Sequence, residues 1–95
     1  MRKADPALSR GEPAPATSES HIRNGDRLRD ARRYAEAASA YRAALEIAPL
    51  RTDIRVQFGN MLKDSGRLAE AEAAYRCALA QAPEDADLHL QLGHV

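Results

Sequence analysis

The chain has 95 residues, room for one small domain. Its 14 Lys and Arg balance 14 Asp and Glu, so no net field draws it to nucleic acid or to an anionic membrane. Hydrophobic residues make up 44%, but 20 of them are Ala and only seven residues are Val, Ile or Thr, which points to close-packed helices and away from a sheet. A single cysteine, Cys77, excludes an internal disulfide and a Cys-based zinc site. No apolar run reaches the roughly 18 residues of a membrane span. Arg2 and Lys3 are not followed by the apolar core of a secretory signal. A soluble, cytoplasmic protein is expected.

Residues 1–16 hold three of the five prolines and almost no large apolar side chain. They read as a disordered leader or linker. Residues 17–95 read as one domain, and that domain repeats. Shifted by 34, residues 18–49 match 52–83 at 14 of 32 positions, among them Gly25/Gly59, Leu28/Leu62, Ala37/Ala71, Tyr41/Tyr75, Ala44/Ala78 and Pro49/Pro83. A third copy starts at Ala86 with Gly93 in register. A gapless period of this size marks a stacked array, with copies at 18–51, 52–85 and 86–95.

Each copy predicts two helices. In the second, Thr52 or Asp53 is placed to cap the first helix. Ile54, Phe58, Met61 and Leu62 follow at helical spacing, with Val56 on another face. Asp64-Ser65-Gly66 ends that run, with Gly66 suited to a left-handed cap. The next helix spans about 68–81, and Leu68, Ala71, Tyr75, Ala78, Leu79 and Ala82 form its stripe. Pro49 and Pro83 end the second helices, because proline disfavours helical geometry in the residue before it. Glycine inside a helix costs about 1 kcal/mol against alanine. Its recurrence at 25, 59 and 93 therefore predicts close helix–helix approach, with Tyr41 and Tyr75 filling gaps between adjacent hairpins.

These residues resemble the tetratricopeptide repeat, whose pattern runs aromatic, Leu-Gly, Tyr, Ala-x-x-x-Phe, Pro. The second copy supplies Phe58-Gly59, Leu62, Ala71, Tyr75 and Pro83. The first supplies Gly25, Leu28, Ala37, Tyr41 and Pro49, and the third Leu92-Gly93. His21, Arg55 and His89 replace the leading aromatic, and Asn24 replaces a leucine, which suggests a worn first helix. The resemblance implies an all-α superhelix of helical hairpins whose first helices line a concave groove for a peptide or protein segment. Carried over by register, the groove residues are Glu19, Ile22, Asp26, Arg29 and Asp30 in the first copy. Asp53, Val56, Asn60, Lys63 and Asp64 follow in the second, and Asp87, Leu90 and His94 in the third. Some members clamp a partner's terminal carboxylate with Lys and Asn where this chain has Ile22 and Asp26, so that mode is not expected. The stretch from Phe58 to Val95 also resembles the repeats that precede bacterial glycosyltransferase domains, as in O-linked N-acetylglucosamine transferases. A sugar-transfer domain beyond residue 95 would follow from that likeness.

No catalytic, cofactor or metal site is expected within the segment. Cys77 aligns with Ala43 and reads as a small packing residue without an activating base. His21, His89 and His94 lack ligand spacing. Arg23, Arg27, Arg29, Arg32 and Arg33 are interleaved with Glu19, Asp26, Asp30 and Glu36 and have no aromatic among them for base stacking, so they read as a solvated face. On that face Arg23 should pair with Glu19, and Asp26 should repel Asp30. Leu88, Leu92 and Val95 lack a following helix to pack on. The chain is therefore expected to be a fragment or a self-associating unit, a homo-oligomer through this open apolar end.

Overall fold

The computed structural model describes residues 17–93. Five helices lie among them: α1 (Ser18–Asp30), α2 (Tyr34–Ile47), α3 (Thr52–Asp64), α4 (Leu68–Gln81) and α5 (Ala86–Gly93). The described residues contain no strand, and the all-α class read from the sequence is the one observed. Each helix packs chiefly on its neighbours in sequence, as a linear array of hairpins requires. The proposed leader, 1–16, lies outside the described residues.

The helix ends follow from local chemistry. Thr17 and Ser20 form a reciprocal capping box, with Ser20 N–H donating to Thr17 Oγ1 at 3.1 Å and Thr17 N–H to Ser20 Oγ at 3.0 Å. The cap expected at Thr52 or Asp53 does not form. Arg51 is the N-cap of α3 and makes no side-chain cap. Thr52 Oγ1 instead donates to Gln81 Oε1 at 2.9 Å, and Asp53 is taken by Arg51 at 3.0 Å. In α2 and α4 the pairs Arg33–Glu36 and Arg67–Glu70 bridge the first turn, at 2.5 and 2.7 Å. This accounts for the identity of both residues across the repeat. Both pairs are exposed to water and salt, so they contribute little to holding the fold.

The turns after α1 and α3 are the same Schellman motif. Arg33 N–H reaches Leu28 O at 2.9 Å, and Arg67 N–H reaches Leu62 O at 2.8 Å. Its left-handed residue is Gly66 (φ +85°) in the second repeat but Arg32 (φ +62°) in the first. A residue with a Cβ is strained there by about 1–2 kcal/mol. Arg32→Gly is therefore expected to stabilise the chain by about 1 kcal/mol. Gly66→Arg is expected to destabilise it by a similar amount, both read from urea unfolding followed by circular dichroism.

Ala37, Ala71, Tyr41, Tyr75, Ala44, Ala78, Met61 and Leu62 form the core. The close approach expected at glycine is real at two positions. A Cβ on Gly25 would lie 2.6 Å from Tyr41 Cε1, and one on Gly59 would lie 2.7 Å from Tyr75 Cε1. The tyrosines thus seat on the first helix of their own hairpin, not only between hairpins as expected. Gly93 meets nothing within 4 Å, because no second helix follows α5 among the described residues.

Three further expectations change. Leu68 stands at the first position of α4 and is half exposed (50%), outside the apolar stripe assigned to it. Cys77 is exposed, and the buried side of α4 is carried by Ala71, Ala74, Tyr75 and Ala78. Leu88 is 1% exposed and Leu92 packs on the core, since α4 already covers that side of α5. The exposed leucine of α5 is Leu90, at 61%. Val95 lies outside the described residues.

Candidate functional site

The expected groove face is built on α1 and α3. Its inner layer is tied to the tyrosines beneath it. Tyr41 Oη donates to Asp26 Oδ1 at 2.6 Å, and Tyr75 Oη donates to Asn60 Oδ1 at 2.5 Å. The two acceptors occupy the same register position, one charged and one neutral. Burial, then the Asp26 carboxylate, push the Tyr41 phenol well above its ordinary value of 10.0. Burial, then Asp64, raise that of Tyr75. A folded-state value above the unfolded one means that this stability is intact below pH about 10 and is lost as the pH climbs. The melting temperature should therefore fall steadily above pH 10. Tyr41→Phe should flatten that fall while lowering stability at neutral pH, measured by thermal unfolding across an alkaline series.

Arg29 links the two repeats. One of its Nη atoms lies 3.4 Å from Tyr41 Oη, 3.5 Å from Asp26 and 3.4 Å from Gln57 Oε1 of α3, and its Nε lies 3.2 Å from Asp30. The repulsion expected between Asp26 and Asp30 is thereby relieved by one shared cation. The pairing expected between Arg23 and Glu19 gives way to one between Glu19 and Arg51 of the next repeat, at 3.2 Å. Arg51 also holds the Asp53 carboxyl below the usual carboxylate range, chiefly through its hydrogen bond.

The thirteen groove residues therefore fall into different roles. Arg29, Asn60, Lys63 and Asp64 come together around a hollow of about 370 Å³, with Tyr34 and Gln57 completing its wall. Glu19, Asp30 and Asp53 are exposed, Asp26 and Val56 half-buried. Ile22 is buried in the core cluster at 9% and is not a groove residue. Burial along this register falls from Ile22 to half-buried Val56 to exposed Leu90. The side chain of Asp87 and all of His94 lie outside the described residues. Gln57 and Tyr34 were not anticipated. Gln57, Asn60 and Asp64 share one face at i, i+3, i+7, so the helical stripe carried the signal for Gln57.

The position of the missing aromatic has a role of its own. Arg55 donates Nη2–H to the Pro49 carbonyl at 2.9 Å, and His89 Nε2 stands 3.0 Å from the Pro83 carbonyl. In two consecutive repeats the same position thus grips the prolyl turn six residues upstream. Gln81 Nε2 adds a second bond to Pro49 O at 2.9 Å, so the turn between repeats is held from both sides.

Residues 59–95 match the family model for the TPR repeat. No curated protein matches the chain. TPR repeats in general mediate protein–protein interaction. The matched span takes in the second half of α3 from Gly59, all of α4 and α5, and three of the four expected residues at the hollow, Asn60, Lys63 and Asp64. No helix among the described residues is long and apolar enough to cross a membrane.

Proposed function

We propose that the chain is a non-catalytic, cytoplasmic binding module that takes a peptide or protein segment along the α1–α3 face. The hollow lined by Arg29, Gln57, Asn60 and Lys63 carries the reading. It combines cations, an amide with both donor and acceptor, and Asp64 on one shallow surface. Such a surface suits an extended chain, whose backbone offers alternating donors and acceptors. Arg29 and the tyrosine-anchored Asn60 are held in place beforehand, which lowers the ordering cost of binding. A peptide selected from a display library should bind with an affinity that falls at least about tenfold in the double variant Gln57→Ala, Lys63→Glu. Unchanged affinity, with the helical circular dichroism preserved, would remove this surface from consideration.

A second reading is self-association through α5, and the 61% exposure of Leu90 favours it. Light scattering should then show a dimer that Leu90→Lys dissociates; a monomer at every concentration would contradict it. The likeness to repeats of sugar-transfer enzymes is tested by the intact mass of the gene product.

A further inference from the structure

A second hollow of about 260 Å³ opens on α3. It shares no lining residue with the first. Its α3 residues, Arg55, Phe58 and Leu62, are spaced i, i+3, i+7, two residues out of step with Gln57, Asn60 and Asp64. Two residues are about 200° of helix, so the two hollows use opposite faces of α3. Phe58, Leu62 and Ala74 give the second an apolar floor. Arg42 of α2, Arg55, and Glu70 and Cys77 of α4 stand around it.

The charges here are only partly answered. Arg29, Arg33, Arg51, Arg67 and Arg76 each hold a carboxylate. Arg42 has none among the described residues, and its guanidinium stands over the Phe58 ring, 5.9 Å from the centroid. Arg55 has only its bond to Pro49 O, and its Nε is buried with no acceptor. Folded proteins rarely keep such an orphan donor without a reason. Glu70 answers them only in part, because Arg67 takes both its oxygens, at 2.7 and 2.8 Å, and Arg42 feels its charge without bonding to it. Beyond Arg42 and Phe58 a smaller hollow of about 30 Å³ continues to Ser39 and Arg67.

We propose that this cleft binds an acidic peptide segment, independently of the α1–α3 face. The aliphatic stem of a glutamate lies on Phe58 and Leu62, and its carboxylate sits between Arg42 and Arg55. The Arg55 guanidinium exchanges its bond to Pro49 O, which Gln81 still holds, for the ligand carboxylate, and its orphan Nε–H gains an acceptor. A peptide carboxylate fits better than phosphate, since only the peptide side chain brings an aliphatic stem for the apolar floor.

Cys77 on the rim is a built-in reporter. The full chain is alkylated with neutral iodoacetamide in the presence of acetyl-Ala-Leu-Glu-Leu-Ala-amide, its Gln counterpart, or inorganic phosphate. The Glu peptide should slow alkylation saturably by about threefold or more, while the other two do not. Arg42→Gln and Arg55→Gln should each abolish the protection, and Lys63→Glu on the opposite face should leave it intact. Arg42 is exposed, so its variant keeps the test valid if Arg55→Gln does not fold. No protection by the Glu peptide, equal protection by the Gln peptide or by phosphate, or protection that survives Arg42→Gln, would overturn the proposal.

Discussion

Gly59→Ala is expected to lower the unfolding free energy by about 1–3 kcal/mol, although alanine is the better helix former by about 1 kcal/mol. The two effects compete and the contact wins. The new Cβ would stand 2.7 Å from Tyr75 Cε1 and 2.9 Å from Cδ1. The ring has no room to move, being fully buried and tied at its hydroxyl to Asn60. Gly25→Ala should behave alike, against Tyr41 at 2.6 Å. Gly93→Ala should do the reverse. Nothing lies within 4 Å of that position, so only the propensity gain remains and the chain should be unchanged or slightly more stable. Urea unfolding of the three variants side by side separates packing from propensity. Equal effects at all three would show that the tyrosine contacts do not matter.

Leu62→Ala is expected to cost about 2–5 kcal/mol. Leu62 is 1% exposed, in the core cluster with Tyr75 and Met61, and it also supplies the carbonyl that closes the Schellman turn. A small domain has only about 5 kcal/mol or somewhat more to lose, so the variant should be substantially unfolded at 37 °C. Leu68→Ala, six residues on, is expected to change stability by less than about 0.5 kcal/mol, because that leucine is half exposed at a helix start. Two leucines close in sequence thus differ several-fold in effect. Differential scanning calorimetry of both variants reads the difference directly, and comparable losses would contradict the burial assigned here.

The contrast shows what the sequence carried and what it did not. The 34-residue period was enough to place every described helix, because glycine, tyrosine and proline recur in positions where only a hairpin array gives each a role. The tyrosine seat over Gly25 and Gly59 was legible as a need for close approach, though not which helix pair made it. Burial at a given register was less legible. Ile22 and Leu90 are equivalent in the repeat, yet one is buried in the core cluster and the other is exposed. Leu88 was expected to need a further helix, yet it is buried in the core cluster without one. The left-handed Arg32 was hidden because arginine is a poor choice for a conformation that glycine fills one repeat later. At the candidate site, the resemblance, carried over by register, named Arg29, Asn60, Lys63 and Asp64, and these four line one hollow. Register could not show that Asn60 and Asp26 are engaged from below by tyrosine hydroxyls, or that Gln57 joins Arg29 across the repeats. Those contacts depend on how one hairpin seats on the next, which no single repeat encodes.

The proposed seat of a peptide or protein segment on the α1–α3 face is open to a nitrogen-15 NMR titration of the full chain with the tightest peptide from a display selection. Shifts should concentrate at Arg29, Gln57, Asn60, Lys63 and Asp64, and should be lost in the Gln57→Ala, Lys63→Glu variant. Shifts confined to other faces, or selection that yields no binding peptide, would contradict it.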